Sequence, residues 1–379
     1  MKIGFYTDTY LPNTDGVVSQ ILTSKKELEK RKHYVHVFAP GTKEDKKANH
    51  DKTVTYYEGV KFPLYPNYKL AIFPYSSAFD VKQLKLELIH SHAIATMGLA
   101  SIFTAKTLHL PLVGTFHTMV PLAAHYLTKD KKAQKILTSA AWKTIELFYK
   151  PFDAVTAPSR VIANLLEKNG VENVKVISNG IDTTIFKPQN GTKIRRELKL
   201  GKEKTFLFVG RITIEKGVDV VMKAFSKLNE PAKLVIVGDG PHLNEVKKLH
   251  KKLKLGDNVM LTGQVPFKQM PQYYAACDWQ ITASMFETQG LGILEGMACG
   301  KPCIGADYLA IPETVKHNQN GWLFQAGNVT ECLNQMQNAL QHTSDKKYKT
   351  MSANALHTAK THSIQKTTDQ WEKLYASLL

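Results

Sequence analysis

The sequence reads Ser284-Met-Phe-Glu-Thr-Gln-Gly-Leu-Gly-Ile-Leu-Glu-Gly-Met-Ala-Cys-Gly300 over its most informative part. A short apolar run, Trp279-Gln-Ile-Thr-Ala283, precedes it and has the length and composition of a buried strand. After Gly290 the apolar residues recur at helical spacing, and Gly300-Lys301-Pro302 is a typical helix end. We therefore predict a strand, a glycine loop and a helix in succession. Such a junction directs backbone N–H groups and the positive end of a helix dipole at one point, which favours a bound phosphate.

Two glutamates flank this point. Glu287 lies in the loop after the strand, and Glu295 lies one turn into the helix. We expect the helix dipole to keep Glu295 ionised, so that its carboxylate accepts two hydrogen bonds from a vicinal diol such as a ribose. Gly290 and Gly292 leave room for a ligand to approach the backbone. The alternative is that the acids only begin a helix and the glycines only serve a turn.

The same half of the chain begins with a strand pattern from Thr205 to Gly210, followed by a loop and an apolar helix pattern. Arg211 and Lys216 lie in that loop. Loops after neighbouring strands of a parallel sheet meet at its carboxyl edge, so we expect both cations near the loop from Gln289 to Gly292. Two cations beside a helix start would neutralise a diphosphate, including the charge that develops on a departing one. Solvated surface cations are the alternative.

The first half shows the same succession of elements. A strand from Lys2 to Thr7, a loop, a helix from Val17 and a strand from Tyr34 form a doubly wound unit. Gly16, at the mouth of the helix, is a candidate for close approach of the backbone to a ligand. The three-glycine dinucleotide fingerprint is absent from this loop, which argues against a hydride-transfer cofactor.

A histidine marks a further strand end. The run from Leu112 to His117 is a strand pattern, and His117 lies at its carboxyl end, where ligands collect in such sheets. A core or capping histidine is an equally good interpretation. His90 and His92 are expected on opposite faces of the preceding strand, and they are therefore not expected to share a metal ion.

The length of 379 residues predicts two domains. We predict an α/β protein with two doubly wound, Rossmann-like domains that face each other across a cleft. The first domain is expected to span 1–190 and the second 191–363, with the polar stretch from Lys187 to Thr192 as the linker. A last helix, 364–379, is expected to cross back to the first domain.

The chain carries a net charge of +17 and a sequence pI of about 9.4, with lysine in several clusters. This surplus favours contact with nucleic acid, an anionic bilayer or phosphorylated ligands. The apolar stretch from Thr118 to Leu127, with the lysines and helix pattern beyond it, fits either an interfacial segment or core packing. No apolar run reaches the roughly 20 residues of a membrane span, so membrane contact is expected to be peripheral. Nucleic-acid binding remains a remote alternative, because no recognised motif accompanies the charge.

The sequence does not predict a metal site. The four cysteines, 277, 299, 303 and 332, lack metal-ligand or disulfide spacing and indicate a reducing, cytoplasmic environment. No Asp-x-Asp pair occurs in the chain, so a metal-chelated diphosphate is not expected.

Together these motifs resemble those of the retaining glycosyltransferases of the fourth sequence family, which have the two-domain GT-B fold. The matching residues are Gly210-Arg211 with Lys216, the Glu287 and Glu295 pair, the turn Asn179-Gly-Ile-Asp182, and Thr115-Phe-His-Thr118. Within that family, Thr7-Asp-Thr-Tyr-Leu-Pro12 and the later His125-Tyr126 are most similar to bacterial enzymes that transfer glucose from UDP-glucose to diacylglycerol. The less polar residues after His117 depart from that subgroup, and this departure concerns the acceptor.

The resemblance implies a role for each predicted residue. The donor diphosphate would be bound by Arg211 and Lys216, together with the loop residues Gln289, Gly290 and Leu291. The ribose hydroxyls would be held by Glu295.

The remaining roles concern the transferred sugar and the first domain. Glu287 would lie at the donor sugar, where it orients hydroxyls or stabilises positive charge on the anomeric carbon. His117 would lie near the same sugar from across the cleft, and Gly16 would let the first loop approach the phosphates.

The implied reaction moves a hexose, glucose from UDP-glucose, onto a hydroxyl of a membrane lipid such as diacylglycerol, with retention and without a metal. The nucleotide-sugar is a co-substrate, and no other cofactor is expected. Domain closure would exclude water from the reaction. Such an enzyme would be cytoplasmic and bound peripherally to the inner face of the cell membrane. The alternatives are a GDP-mannose- or UDP-sugar-dependent transferase with a phosphoinositol-type or soluble acceptor, and a catalytically silent nucleotide-sugar sensor.

Overall fold

A computed structural model describes residues 1–13, 15–62, 65–119, 121, 128, 130–343 and 345–379, with the backbone alone for 62 and 65–68. The chain forms two compact units, one of 1–180 with 364–379 and one of 181–363. Each is an α/β unit with a largely parallel sheet, so the predicted class of two doubly wound, Rossmann-like domains is confirmed. Most of the predicted interfacial stretch, residues 120 and 122–127, lies outside the described residues, and so does the His125-Tyr126 pair within it.

The first unit is built on one sheet. Its strands are β1 (Lys2–Tyr6), β2 (Tyr34–Gly41), β3 (Val54–Phe62), β4 (Tyr65–Ala71), β5 (Leu88–Ser91), β6 (Leu112–Thr115), β7 (Ala154–Ala157) and β8 (Val174–Val176). They form an eight-stranded sheet in the order β4-β3-β2-β1-β5-β6-β7-β8. Neighbouring strands are parallel except β3 and β4, an antiparallel edge pair that the sequence pattern did not predict. The helices are α1 (Gly16–Lys30), α2 (Lys43–Ala48), α3 (Ser77–Leu84), α4 (Thr96–Leu108), α5 (Lys131–Tyr149) and α6 (Arg160–Lys168).

The second unit repeats the plan with a wholly parallel sheet. Its strands are β9 (Lys204–Val209), β10 (Ala232–Val237), β11 (Val259–Gly263), β12 (Trp279–Thr282), β13 (Cys303–Asp307) and β14 (Gly321–Gln325). Their order is β11-β10-β9-β12-β13-β14. The helices are α7 (Thr192–Glu197), α8 (Val218–Phe225), α9 (Leu243–Lys252), α10 (Met270–Ala276), α11 (Leu291–Ala298), α12 (Ile311–Thr314), α13 (Val329–His342) and α14 (Lys346–Thr361).

The strand order reverses beside one central strand in each sheet. β1 lies between β2 and β5, and β9 lies between β10 and β12. Loops that leave neighbouring strands in opposite directions open a crevice at the carboxyl ends, where ligands bind in this class of sheet. The loop after β9 carries Arg211 and Lys216, and the loop after β12 carries Glu287. The predicted residues of the second unit therefore lie at its topological switch point.

Apolar strands supply the core of each unit. In the second unit the buried side chains include Trp279 and Trp322, whose rings stack with centroids 4.7 Å apart. In the first unit Ile3, Phe5, Val35 and Val37 of adjacent strands are buried. Strands buried on both faces read as nearly continuous apolar runs, which is why they could be located from the sequence. Among the helices that the structure describes, none combines the length and the apolar composition needed to cross a membrane.

The last helix, α15 (Ile364–Ala376), packs in the first unit. Its Trp371 and Tyr375 are 3% and 0% exposed. The Arg31 guanidinium, at the end of α1, donates to Asp369 at 2.7 Å and to Glu372 at 2.6 Å. Apolar burial and a forked ion pair together hold the helix on α1.

The boundary between the two compact units lies before the predicted linker. The units divide between Gly180 and Ile181, so the polar stretch from Lys187 to Thr192 lies inside the second unit. Gly191 packs so closely there that a Cβ on it would be 2.3 Å from the backbone nitrogen of Ala276. Polar and turn-forming residues predict a break in regular structure, but they do not predict whether that break is packed against a neighbouring element.

Replacing Gly191 with alanine tests this close packing. The new methyl group would meet backbone atoms, which cannot rotate away, so we expect Gly191→Ala to lower the free energy of unfolding by about 2–4 kcal/mol. Urea denaturation followed by tryptophan fluorescence measures the change. Gly327→Ala is the matched control, because no heavy atom lies within 4 Å of its Cβ position and only its φ of +79° is unfavourable. That control should cost about 1 kcal/mol. Equal effects of the two substitutions would contradict the packed position of Gly191.

Candidate active site

Backbone contacts join the loops that follow β9 and β12. Gly217, with φ +66°, lies so near Ala283 that a Cβ on it would be 2.5 Å from the Ala283 carbonyl oxygen. The Met285 N–H donates to the Glu215 carbonyl oxygen at 2.8 Å. Glycine alone combines a left-handed backbone with the absence of a side chain, and this position needs both. The two predicted loops are therefore held together at the carboxyl edge of the sheet.

Lys216 and Glu287 form an ion pair across these loops. Lys216 Nζ lies 2.6 Å from Glu287 Oε1 and also donates to the Phe286 carbonyl oxygen at 3.3 Å. Both side chains are 20% exposed. Partial burial strengthens the attraction above that of a fully exposed pair, while both groups remain open to solvent on one side. Sequence reasoning placed the two residues at one sheet edge, and the structure places them in direct contact.

Arg211 lies in the loop between β9 and Lys216, and it is exposed. The backbone on both sides of it is fixed to the end of β10 and to the loop that follows. The Gly210 N–H donates to the Val237 carbonyl at 3.1 Å, and the Ile212 N–H donates to the Asp239 carbonyl at 2.9 Å. An exposed guanidinium on a fixed backbone can bind an anion through two N–H donors at once.

The start of α11 has no side-chain cap. Gly290, with φ +85°, precedes the first helical residue, Leu291, and the first turn contains no acidic residue. Gln289 is 3% exposed, and its carbonyl oxygen accepts a hydrogen bond from Thr314 Oγ1 at 3.5 Å. Leu291 is partly buried against the core of the unit. The backbone N–H groups at this helix start and the positive end of its dipole therefore suit an anion.

Glu295 lies on the second turn of α11 and is held by a tyrosine. Tyr274 Oη lies 3.0 Å from Glu295 Oε2 and 3.0 Å from the Gly292 carbonyl oxygen. Burial raises the pKa of Glu295 to about 7, although the hydrogen bond from Tyr274 lowers it. Burial therefore opposes the ionisation that the helix dipole is expected to favour. The dipole acts mainly on the first turn, and desolvation outweighs it at this depth.

A buried glutamine supports the helix from below. Gln280 Nε2, on β12, donates to the carbonyl oxygens of Ile293 at 3.1 Å and Lys301 at 3.0 Å. A Cβ on Gly296 would be 2.1 Å from Gln280 Cδ. The glycine therefore lets α11 lie close against β12, and this contact fixes the height of Glu295 above the sheet.

His117 belongs to a stack of three histidines in the first unit. His92 Nδ1 lies 2.9 Å from His117 Nε2, and their ring centroids are 5.2 Å apart. The rings of His90 and His92 have centroids 4.0 Å apart. The prediction that those two residues point to opposite faces is wrong, because residues two apart along a strand share a face. Burial lowers the pKa of His117 to about 4, so this imidazole is neutral near pH 7.

Gly16 is the first residue of α1 and is exposed. Asp15 occupies the start of this helix, with Oδ1 accepting hydrogen bonds from the N–H groups of Val17 and Val18, both at 2.9 Å. A carboxylate of the protein therefore already satisfies two N–H groups at this helix start, beside the backbone of Gly16.

The structure brings the predicted residues together in two groups. In the second unit the carboxyl edge at β9 and β12 collects Arg211, Lys216, Glu287, Gln289, Gly290, Leu291 and Glu295. In the first unit His117 follows β6, and Gly16 begins α1. Sequence reasoning missed Tyr274 and set His92 aside. The apolar helix pattern around Tyr274 does not indicate that its hydroxyl contacts Glu295. The spacing of His90 and His92, by contrast, indicates that their side chains share one face of the strand. Among the described residues no cluster of histidine, cysteine, aspartate and glutamate could hold a metal ion.

The raised pKa of Glu295 makes the stability of the protein depend on pH. The ordinary pKa of the group is 4.5, so the stabilisation from its bound proton is complete below that pH and is lost as pH rises through about 7. Glutamine keeps the acceptor for Tyr274 and carries no charge. We expect Glu295→Gln to match the wild type at pH 5 and to exceed it at pH 8 by on the order of 2 kcal/mol in nucleotide-free buffer.

Urea denaturation at several pH values measures this difference. Tyr274→Phe is the companion variant, because loss of its hydrogen bond to the carboxylate should move the fall in stability to higher pH. Identical pH profiles for the wild type and Glu295→Gln would show that Glu295 does not titrate in this range.

Comparison with known proteins adds to this geometry. Residues 14–185 match the family described as Glycosyltransferase Family 4, and residues 190–358 match the family described as Glycosyl transferases group 1. The alpha-monoglucosyldiacylglycerol synthase of Streptococcus pneumoniae (strain ATCC BAA-255 / R6) is 33% identical over 369 residues, which are 93% of this chain and 83% of that protein. The GDP-mannose-dependent alpha-mannosyltransferase of Corynebacterium glutamicum is 25% identical over 343 residues, which are 88% of this chain and 79% of that protein.

The fold has a close counterpart among solved structures. The crystal structure of Anabaena Alr3699/HepE in complex with UDP and glucose matches this chain with a TM-score of 0.80 and 22% identity, over 100% of both chains. That likeness shows the fold alone, whereas the family matches and the Streptococcus relative show common descent. On these grounds the chain belongs to the glycosyltransferases of family 4 and has their GT-B fold of two Rossmann-like domains.

Proposed function

We propose that the protein is a retaining hexosyltransferase that moves glucose from UDP-glucose onto a hydroxyl of a membrane lipid such as diacylglycerol. The observation that carries the proposal is the 2.6 Å ion pair of Lys216 and Glu287, in the loops that lead to the uncapped start of α11. A cation, a carboxylate and a helix dipole are the groups that a sugar diphosphate requires. The name of the Streptococcus relative supports glucose as the sugar and diacylglycerol as the acceptor.

The donor is proposed to bind along the carboxyl edge of the second unit. Arg211 and Lys216 bind the diphosphate together with the backbone at Gln289, Gly290 and Leu291. Glu295 accepts hydrogen bonds from the ribose hydroxyls, and Tyr274 holds its carboxylate in place. Glu287, already fixed by Lys216, faces the transferred sugar. In the first unit His117 contacts the same sugar, and Gly16 allows backbone approach to the phosphates.

The proposed chemistry proceeds on one face of the sugar. The acceptor hydroxyl oxygen attacks the anomeric carbon on the side from which the diphosphate leaves. The bond to the diphosphate oxygen breaks, the bond to the acceptor oxygen forms, and the acceptor proton passes to an oxygen of the leaving diphosphate. Glu287 stabilises positive charge on the sugar, while Arg211 and Lys216 stabilise negative charge on the diphosphate. These side chains supply the charge without a metal or another cofactor.

The second candidate is transfer of mannose from GDP-mannose to a phosphoinositol-type or soluble acceptor. It is favoured by the Corynebacterium relative, whose name specifies GDP-mannose. The residues assigned to the diphosphate and the ribose would serve either nucleotide, because neither group distinguishes uracil from guanine. The donor base and the sugar therefore need a direct assay.

The donor assay combines a nucleotide-sugar panel with charge-removing variants. Purified protein is incubated with UDP-, GDP- and ADP-sugars and a lipid extract, and any glycolipid is identified by mass. UDP-glucose should give a glucosyl lipid. Lys216→Met and Glu287→Gln should each lower kcat/KM by about 100-fold or more, because charge-assisted bonds to the donor are lost.

Lys223→Met is the matched control for the ion pair. Lys223 also forms an ion pair, with Asp219 at 3.0 Å, but it lies on the exposed face of α8. It should keep kcat/KM within about twofold, since exposed pairs contribute little. Near-normal transfer by Lys216→Met or Glu287→Gln would refute the roles given to these residues. Preferential use of GDP-mannose would favour the second candidate.

An exposed aromatic surface supports the proposed membrane contact and peripheral location. It is formed on the first unit by the turn before α3, by α3 and by α4, with residues Ile72, Phe73, Tyr75, Phe79, Leu99 and Phe103. Phe73 and Phe79 are 81% and 69% exposed, and the Tyr75 and Phe103 rings meet edge to face at 5.2 Å. Exposed lysines on α3 and α4 and at the end of α3 flank the apolar residues, namely Lys82, Lys85 and Lys106. Apolar side chains beside lysines suit the interface of an anionic bilayer.

The segment that the sequence predicted to be interfacial offers a second apolar surface. Most of α5 is exposed, including Ile136 at 70% and Leu147 at 58%, and lysines occupy its first turns. Its aromatic residues are less exposed than those of the aromatic surface, because Trp142 and Phe148 are only partly exposed and Tyr149 is buried. We therefore assign the main membrane contact to the aromatic surface and treat α5 as the comparison.

Vesicle sedimentation tests this assignment. Vesicles that contain anionic phospholipid should bind the wild type, and added salt should weaken the binding. Phe73→Ser with Phe79→Ser should lower the partition constant by about 10- to 100-fold, because two phenyl rings no longer enter the interface. Ile136→Ser with Leu147→Ser should change it by less than about threefold. The opposite ranking of the two double variants would transfer the membrane contact to α5.

A further inference from the structure

We infer that His92 is a positioning residue that holds the His117 imidazole in one orientation and one tautomer for the transfer reaction. The inference rests on the role in the proposed function that His117 contacts the transferred sugar. It concerns a residue that the sequence pattern set aside and that touches His117 rather than the substrate.

The side chains of His92 and His117 are in direct contact. His92 directly follows β5, and His117 lies two residues past the neighbouring strand β6. The distance between His92 Nδ1 and His117 Nε2 is 2.9 Å, and the ring planes are inclined by 25°. The His92 N–H donates to the Tyr6 carbonyl oxygen at 2.7 Å, so the backbone of His92 is fixed to β1 as well. His92 is thus an anchored side chain whose ring nitrogen reaches the predicted catalytic histidine.

The number of protons on the two rings links their tautomers. Burial lowers the pKa of both His92 and His117, so both rings are neutral near pH 7. A neutral imidazole has one N–H donor and one acceptor nitrogen, so a single proton lies between the two rings. The tautomer of His117 is therefore tied to that of His92.

The surroundings of His92 determine which of the two rings donates the hydrogen bond. His92 Nε2 is buried and has no hydrogen-bond partner among the described residues. A buried N–H without an acceptor is costly, so the proton of His92 belongs on Nδ1, where it has His117 Nε2 as its acceptor. His117 then carries its own proton on Nδ1. The pair is thereby expected to populate one tautomer of His117 instead of a mixture.

The His92 ring is itself held in place by its neighbours. Its ring packs between Phe5, with centroids 4.8 Å apart, and His90, with centroids 4.0 Å apart. His90 is fixed at both nitrogens, with Nδ1 2.7 Å from Tyr375 Oη and Nε2 2.7 Å from Thr115 Oγ1. Tyr375 belongs to α15, so the last helix supports the wall against which His92 stands.

A hydroxyl chain determines the tautomer of His90. Thr156 Oγ1 donates to the Gly114 carbonyl oxygen at 3.3 Å, and it therefore accepts the proton of Thr115 Oγ1, which lies 2.7 Å away. Thr115 then accepts from His90 Nε2, and Tyr375 donates to His90 Nδ1. His90 is thus locked independently of His92, and it acts as a rigid support for the second ring.

Three substitutions at His92 separate positioning from simple packing. Asparagine places an N–H donor near the position of Nδ1, glutamine places one near the position of Nε2, and leucine provides neither. We expect His92→Asn to keep kcat within about fivefold of the wild type, whereas His92→Gln and His92→Leu lower it by about 10- to 100-fold. KM for the donor should change by less than about threefold in each case, because donor binding groups lie in the second unit.

A spectroscopic measurement reads the pair without relying on activity. In protein labelled with ¹⁵N-histidine, two-bond ¹⁵N–¹H correlations report the tautomer of each ring, and His117→Ala assigns the resonances of His117. Wild type and His92→Asn should show His117 with its proton on Nδ1. His92→Gln and His92→Leu should show a mixture of tautomers. His36→Leu is the control, because His36 is 4% exposed and hydrogen-bonded on the nearby strand β2, and its loss should leave the His117 resonances unchanged.

The outcomes distinguish this inference from the proposed function. Equal behaviour of the asparagine and glutamine variants, in rate and in the His117 spectrum, would overturn the positioning role. If the leucine variant does not fold, the comparison of asparagine with glutamine still decides. If the wild type transfers no sugar, the proposed function fails, and the tautomer of His117 in the two amide variants alone supports or refutes the inference.

Discussion

The contact of Gly217 with the Ala283 carbonyl is the constraint on which the site of the second unit depends. Without a side chain, and with a left-handed backbone, Gly217 lets the loop after β9 touch the loop after β12. Lys216 directly precedes this contact, and Glu287 follows it by four residues, so their ion pair results from backbone geometry. The two residues are 71 positions apart in the chain, and the strand order places their loops side by side. The charge arrangement is therefore a property of the sheet topology, which long flexible side chains alone would not provide.

Glu295 shows a different use of burial. Its carboxylate lies at a depth where desolvation raises its pKa to about 7, and Tyr274 supplies the hydrogen bond that partly compensates. Two ribose hydroxyls would add donors to the same carboxylate, and donors favour the ionised form. Binding of a nucleotide at this place would thus be thermodynamically linked to loss of a proton from Glu295. The ligand would supply hydrogen bonds that stabilise the ionised carboxylate in its partly buried position.

Features that depend on a local sequence pattern could be predicted, whereas features that depend on contacts between distant residues could not. Buried parallel strands and the glycine loop before α11 have periodicities and caps of their own, so the two Rossmann-like sheets could be predicted from them. The edge pair β3 and β4 has no comparable pattern. The polar stretch 187–192 lies inside the second unit, and this could not be predicted because the packing of Gly191 on Ala276 involves residues from separate elements. The raised pKa of Glu295 was not predicted, because the burial that causes it is not encoded in the neighbouring sequence. The faces of His90 and His92, by contrast, could have been predicted, since a period of two places both on one side of the strand.

The starts of three helices explain why we propose that the diphosphate binds to the second unit. Asp15 accepts hydrogen bonds from two N–H groups at the start of α1, and Asp8 accepts from Ile94, Ala95 and Met97 at the start of α4. A phosphate at either place would have to displace a carboxylate and would meet like charge while doing so. Gly290 leaves the start of α11 without such a group, and the loop after β9 beside it carries two cations, Arg211 and Lys216, of which Lys216 is paired with Glu287. Backbone donors, dipole and side-chain charge thus all favour an anion at α11, whereas at α1 and α4 the protein has used its own carboxylates to satisfy the same donors. The role predicted for Gly16 is limited accordingly to close approach of the chain, with the binding of negative charge assigned to the loops after β9 and β12.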